Sequence, residues 1–211
     1  MIIVEQSAHI ERMHKPEIIM TDLEKWARLA WKSEAKIGPG TADKMIQSLL
    51  DKKPVPHDSP IEHHSMTARF ICCRGMTHEM VRHRLASYTQ ESTRYCNYSK
   101  GKHDKQIRCI TPYGIEPNTL DFEIWVEAMQ ACEFNYFRLL DRGQKPQIAR
   151  GVLPIDLKTE IIMTCNLRMW RHVFKLRTDP TAHPQMQELM WMLYNQIYLQ
   201  LPVLFPQKMA A

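Results

Sequence analysis

Arg82-His83-Arg84-Leu85-Ala86-Ser87-Tyr88-Thr89-Gln90-Glu91-Ser92-Thr93-Arg94-Tyr95 is the stretch on which the reading of this chain turns. It packs three arginines, a histidine and many side-chain hydroxyls into fourteen positions. Guanidinium forks and hydroxyls of this density suit a surface that grips something anionic, planar and rich in hydrogen-bonding groups. The wider segment agrees: Arg69 to Arg108 holds nine Lys or Arg against three acids, while the whole chain carries a net charge of +5, so the remainder is about neutral. Such concentration favours a ligand bearing a few phosphates over a polynucleotide coat, which spreads basic surface more widely.

Upstream of this stretch, His63 to Arg74 alternates and is β-branched and aromatic enough for a strand, with Met66, Ala68, Phe70 and Cys72 on one side. Gly75 permits a turn, Thr77 is an N-cap, and Glu79 falls in the first turn of a helix that reaches Leu85 before the chain runs into a loop. Asn97 to Asp104 reads as a second, basic loop. Nearer the N-terminus, Met1 to Val4 is a short edge strand. Thr21-Asp22-Leu23-Glu24 reads as a capping box opening a helix with Leu23, Trp26, Ala27, Ala30 and Trp31 at helical spacing. Gly38-Pro39-Gly40 ends it, Thr41 to Leu50 forms the next helix, and Pro54, Pro56 and Pro60 impose a loop. Downstream, a long helix starts at Asn118 or Thr119, carries Leu120, Ile124, Ala128, Ala131, Phe134 and Leu140, and stops at Gly143. Pro146 opens and Pro154 closes a short segment holding Arg150. Thr159 to Cys165 is a strand, Asn166 caps a helix through Leu176, and Pro184 opens the last helix through Leu201.

At 211 residues, 44% hydrophobic and 24% charged, the chain has an ordinary globular composition and reads as a single domain, 1–211. No apolar run approaches the roughly 20 residues of a membrane span, and Met1 to Ser7 does not resemble a secretion signal, so a cytoplasmic protein is expected. The six cysteines lack a Cys-x-x-Cys spacing and are read as reduced thiols. No metal is expected. His78 and His83 are five apart, which swings them off a common helix face, and nearby arginines repel a cation. Ser92 is in no nucleophile elbow, and Cys96 beside Arg94 reads better as a structural thiol than as an activated one.

Taken whole, the pattern Arg82-His83-Arg84, seven residues, Ser92-Thr93-Arg94-Tyr95 resembles the signature of the flavin-dependent thymidylate synthases, the thymidylate-synthase-complementing family. The likeness extends beyond the motif. His57-Asp58-Ser59-Pro60 resembles the family's His-x-Ser/Thr-Pro, Ala149-Arg150-Gly151-Val152-Leu153-Pro154 its Ala-Arg-x-x-Leu-Pro, and Asn166-Leu167-Arg168 with Leu176-Arg177 its Asn-x-Arg and Leu-Arg elements. Ala182-His183-Pro184-Gln185 resembles its terminal His-Ala-Gln region with changed spacing. Four positions depart. Glu79 stands where a Gln is common. Thr89 and Gln90 stand where many members carry Asn-Glu, and His172 where an Asn is frequent. An amide at position 90 can hydrogen-bond a ligand but cannot act as a carboxylate base.

The resemblance implies an α+β fold with an antiparallel-rich central sheet flanked by helices, and a homotetramer whose flavin sites are shared between subunits. It implies reductive methylation of dUMP to dTMP, with methylenetetrahydrofolate as carbon donor, NADPH reducing bound FAD, and no protein nucleophile. It further implies FAD contacts at Ser59, Arg82, His83, Arg84, Gln90, Asn166, Leu167, Arg168 and His172, with His57 near the flavin ring. Nucleotide contacts are implied at Glu79, Met80, Val81, Arg82, Gln90, Glu91, Ser92, Thr93, Arg94, Arg150 and Arg177. Arg177 would be catalytic, because a fixed cation against the uracil imide stabilises the N3 anion and makes C5 more nucleophilic. No nucleic-acid or membrane partner is implied. Two alternatives stay open: a polynucleotide binder stacking bases on Tyr88, Tyr95 and Tyr98, and a relative that keeps FAD but modifies another pyrimidine nucleotide, for example by hydroxymethylation.

Overall fold

A computed structural model describes residues 1–99 and 105–206 of the chain; positions 100–104 of the basic loop expected after Asn97 lie outside the described residues. The fold is α+β, with seven α-helices among the described residues and an antiparallel sheet, as expected. Strands β1 (Ile2–Ile3), β2 (Ser7–Arg12), β3 (Ser65–Cys73), β4 (Ser87–Gln90), β5 (Arg108–Cys109) and β6 (Lys158–Asn166) alternate with helices α1 (Pro16–Leu29), α2 (Thr41–Leu50), α3 (Arg74–Met80), α4 (Leu120–Asp141), α5 (Pro146–Ala149), α6 (Leu167–Arg177) and α7 (Pro184–Tyr198). The main sheet has the order β2-β3-β6-β4, and β1 pairs in parallel with β5, Ile2 opposite Arg108. No described helix is long and apolar enough to cross a membrane.

β3 keeps its alternation: Met66, Ala68, Phe70 and Cys72, grouped on one side by the sequence, are all fully buried, so that side is the core face. β6 and α6 also form as the sequence predicts. Asn166 ends the strand in extended backbone, and its Oδ1 accepts from Met169 N at 2.8 Å, so one residue stops β6 and caps α6. Thr119 does the same for α4, accepting from Phe122 N, and Gly143 at φ 86° follows that helix's end.

Other local readings change. α1 starts at Pro16, five residues before the expected capping box, and Thr21 donates its hydroxyl to Glu17 O from within the helix. Proline at the first position, with φ already set, nucleates the helix there. Glu24 does not reach back but pairs with Arg28 one turn on. α3 begins at Arg74, with Cys73 at the cap and Thr77 inside, and it ends at Met80 instead of reaching Leu85. Ser87–Gln90 is a strand, not a loop. β2 was not foreseen from the sequence. It is a sheet edge, and Gln196 on α7 covers its backbone, accepting from Ile10 N at 3.2 Å and donating to Ala8 O at 2.7 Å.

The chain divides into two compact units of interleaved segments. The first comprises Met1–Ser7, Phe70–Arg82 and Tyr88–Ile162, with a core of Tyr98, Ile107, Cys109, Trp125, Met129 and Tyr136. The second comprises Ala8–Arg69, His83–Ser87 and Met163–Ala211. Its core is an aromatic stack in which Phe174 meets Trp170, Tyr194 and Phe205 at 5.1–5.8 Å between ring centres. Trp170 Nε1 donates to Met66 O at 2.9 Å, tying α6 to β3 within that unit.

Candidate active site

Residues implied as ligand contacts gather into two neighbourhoods, one in each unit. In the second unit, α6 presents Arg168, His172 and Arg177, and the turn after α3 presents His83 and Arg84. Arg177 Nε donates to His83 Nε2 at 2.9 Å, and the His172 ring lies 6.3 Å from that of His83, edge-on. His83 is 6% exposed, and its imidazole is pushed down to about 4 by burial first, then by the Arg177 and His172 charges. At neutral pH it is therefore uncharged, and because Nε2 accepts, the ring proton sits on Nδ1. The ring thus offers Arg177 Nε a neutral acceptor. Arg84, beside it in the chain, is exposed and its side chain has no partner among the described residues.

The same unit holds a cavity of about 570 Å³ whose walls include Trp26, Trp31, His57, Ser59, His63 and Arg168. The 3₁₀ turn Ser59–His63 is clamped from α6, where Arg168 pairs with Asp58 at 3.1 Å and with Glu62. Indole faces with a few convergent polar groups, at a volume within the usual range for small-molecule sites, fit a flavin cofactor. Leu167 is fully buried and its N–H donates to His64 O at 2.8 Å, so its side chain faces the core. Asn166 commits its oxygen to the α6 cap and leaves its amide nitrogen without a partner among the described residues.

In the first unit, the loop after β4 meets α5. Arg150 Nη1 donates to Thr93 Oγ1 at 3.4 Å, Arg94 Nε donates to Gln147 Oε1 at 3.3 Å, and Arg94 N donates to Ser92 Oγ at 3.3 Å. Two guanidinium groups are thereby held on one patch by neutral partners, an arrangement suited to a phosphate. Arg82 is exposed and its side chain has no partner among the described residues. Glu91 is differently placed: its carboxylate accepts from Tyr98 Oη at 3.3 Å and Lys158 Nζ at 3.2 Å, a strut within the unit. Met80 is buried and gives its carbonyl to Tyr88 Oη at 2.7 Å, while Val81 is exposed and Glu79 half-buried.

Gln90 shows why an amide stands there. Its Nε2 donates to Thr77 Oγ1 at 3.0 Å and Thr159 Oγ1 at 3.3 Å, and both threonines are buried. Thr77 already spends its hydroxyl proton on Arg74 O at 2.8 Å, so it can only accept from position 90.

Tyr88 and Tyr98 turn their hydroxyls inward, and Tyr98 is 4% exposed. Of the three rings a polynucleotide binder would stack on, only Tyr95 is open. All six cysteines are free, and burial pushes the thiols of Cys72, Cys73, Cys109, Cys132 and Cys165 up, that of Cys109 to about 12.

The family model described as thymidylate synthase complementing protein matches residues 7–203, nearly the whole chain. The chain belongs to this family. Among its relatives here is a flavin-dependent thymidylate synthase of Pyrococcus horikoshii, 32% identical over 180 residues, covering 82% of this chain and 72% of that protein. Another, from Mycolicibacterium vanbaalenii, is 33% identical over 180 residues, covering 77% of this chain and 68% of that protein. The crystal structure of a UMP/dUMP methylase, PolB, from Streptomyces cacaoi, bound with 5-Br dUMP, has the same fold at TM-score 0.80 and 22% identity, covering 97% of this chain and 95% of that one. Sequence reasoning missed Trp26 and Trp31 as cavity walls, since their helical spacing marks only a helix face and not what that face meets. It also missed the bond between His83 and Arg177, which are 94 positions apart and carry no sequence sign of contact.

Proposed function

We propose that this protein is a flavin-dependent thymidylate synthase that methylates dUMP to dTMP in the cytoplasm, with residues 1–211 acting as one functional domain. The observation that carries the reading is the family match across residues 7–203, running through both compact units and containing every arginine discussed above. The chemistry FAD supplies when bound is delivery of reducing equivalents from NADPH and mediation of one-carbon transfer from methylenetetrahydrofolate. The cavity walled by Trp26, Trp31, His57, Ser59 and Arg168 would hold it, with His83, Arg84, Asn166 and His172 of the same unit as further contacts and Leu167 contributing only through its backbone; Arg82 and Gln90 are FAD contacts by the family resemblance alone.

The chain's own groups then divide the work. Arg94 and Arg150 bind the nucleotide phosphate, each held by a neutral hydrogen-bond partner that leaves its charge uncompensated. Glu79 to Arg82 and Gln90 to Thr93 line the nucleotide. Arg177 places its cation at the uracil imide, where the N3 anion is stabilised and C5 gains electron density. His83, neutral and bonded to Nε, fixes the direction of that guanidinium. No protein nucleophile takes part, a reading supported by five thiols that burial holds protonated. The assembly is a homotetramer, as in the family resemblance.

The test is spectral and chemical. The purified protein carries flavin absorbance that NADPH bleaches, and with methylenetetrahydrofolate it converts dUMP to a product heavier by one methyl group. A product heavier by a hydroxymethyl group, or faster turnover of UMP than of dUMP, replaces this reading with another pyrimidine modification. A colourless protein with no dUMP turnover after FAD is added removes it.

A further inference from the structure

α4 carries apolar residues on two faces, and only one is used within the chain. Trp125, Met129 and Tyr136 are buried in the core of the first unit. The other face holds Leu120, Ile124, Ala128, Ala131 and Phe134, spaced three or four apart and therefore in one stripe. All five are exposed, Leu120 to 69%, Ile124 to 58% and Phe134 to 63%. An apolar stripe along four turns of the longest helix marks an interaction surface.

The charges on and beside the stripe specify its partner. Glu127 and Arg138 fall on the stripe itself, seven residues from Leu120 and from Ala131, with Glu123 beside its N-terminal half and Asp141 and Arg142 at the C-terminal end. Among the described residues the side chains of Glu123, Glu127 and Arg142 have no partner, and Arg138 has only Asn135 at 3.5 Å and the Phe134 ring at 5.3 Å. Acid at the start and base at the end also suits the helix dipole, but the dipole does not explain five apolar side chains in water. A helix with this order of charges is complementary to itself when reversed. We infer that α4 packs antiparallel against α4 of a second copy of this chain across a two-fold axis at Ala131. In that register Ala131 meets itself, Ala128 receives the partner's Phe134, and Glu123 and Glu127 lie within a turn of the partner's Arg138. The small residues stand at the crossing, where two backbones approach closest, and the large ring falls on a small one, as interdigitated helix packing requires. A single isologous patch generates this contact twice over.

The inference rests on the reading that the chain self-associates and not on its activity. Ala131→Cys forms a covalent dimer on mild oxidation, while Leu120→Cys, which the axis places roughly 30 Å from its symmetry mate at 1.5 Å per residue, does not. Wild-type protein oxidised in parallel supplies the background from its own six cysteines. Ala131→Glu sets two carboxylates face to face on the axis, and its molar mass in sedimentation falls to half that of wild type; its exposure makes loss of fold from this change unexpected, and circular dichroism checks it. Cross-linking through Leu120→Cys but not Ala131→Cys overturns the register. Unchanged mass in Ala131→Glu beside an oligomeric wild type overturns α4 as the contact and leaves self-association standing. A monomeric wild type removes both.

Discussion

Replacing His83 by Gln tests the neutral acceptor behind Arg177 directly. Gln can still accept from Arg177 Nε through its amide oxygen, but it does not titrate. In the native protein the imidazole is pushed from its ordinary 6.5 to about 4, burial contributing most and the Arg177 and His172 charges the rest. Because the folded pKa is the lower one, the unfolded chain binds more protons between those two values. Stability from this group is complete above about pH 6.5, falls as pH drops through the window, and is lost below about pH 4. A shift of about 2.5 units at 1.36 kcal/mol per unit corresponds to about 3 kcal/mol as an upper bound. With a urea slope of roughly 2–3 kcal/mol per molar for a chain of this size, that is a difference of about 1 M in unfolding midpoint. Midpoints of wild type and His83→Gln, measured at one protein concentration from about pH 7 to about pH 4, therefore converge or cross by about 1 M on acidification. Parallel curves would mean that His83 titrates near its ordinary value, and the description of a neutral ring holding Arg177 would fail. Dimming of turnover on the acid limb, with flavin still bound, follows from the same protonation in wild type and is absent in the variant.

The remaining predictions concern the arginines and position 90. Arg150→Ala raises the KM for dUMP at least tenfold, the loss of one charge-assisted contact of about 1.5–3 kcal/mol, with flavin absorbance unchanged; equal KM values would remove Arg150 from the phosphate grip. Arg177→Ala retains flavin and loses kcat before nucleotide affinity, and normal methylation by this variant would end its assignment as imide activator. Gln90→Glu turns an acceptor toward the hydroxyl of Thr77, whose proton is committed to Arg74 O. The buried mismatch costs about 1–3 kcal/mol, read as a drop of several degrees in melting temperature, and an unchanged melting temperature refutes that network.

What the sequence reveals here depends on whether an element's reason for forming is local. β3 and the Asn166 cap of α6 are legible because alternation and capping chemistry act within a few residues. The limits of α4 are legible for the same reason, through Thr119 and Gly143, yet its inward face is not. Both faces are apolar, and the expected stripe of Leu120, Ile124 and Phe134 is the exposed one, while the larger rings of Trp125 and Tyr136 take the core. β4 escapes detection because its reason is distant: four residues after an arginine-rich turn become a strand by lying beside β6, where Glu91 N then donates to Glu160 O at 2.8 Å. The site divides the same way. The arginines were readable from the motif, but which of them keep an uncompensated charge depends on partners remote in sequence.

Those partners sort the cations by whether their charge is already answered. Arg28 meets the Glu24 carboxylate and Arg168 meets both Asp58 and Glu62, so the positive charge of each is compensated within the chain. Arg94 and Arg150 meet only an amide and a hydroxyl, with the Tyr95 ring beneath Arg94 at 5.4 Å, and Arg82 and Arg84 meet no side chain among the described residues. Guanidinium groups anchored by neutral acceptors keep their geometry without surrendering their field, which is the state a phosphate site requires before its ligand arrives. Arg168 is instead spent on holding the Ser59–His63 turn against α6, which fixes the cavity wall to which both Ser59 and Arg168 belong. The arginines whose charge the fold leaves open among the described residues are thus Arg82, Arg84, Arg94 and Arg150, and the basic surplus between Arg69 and Arg108 is concentrated where the chain itself supplies few acids to cancel it.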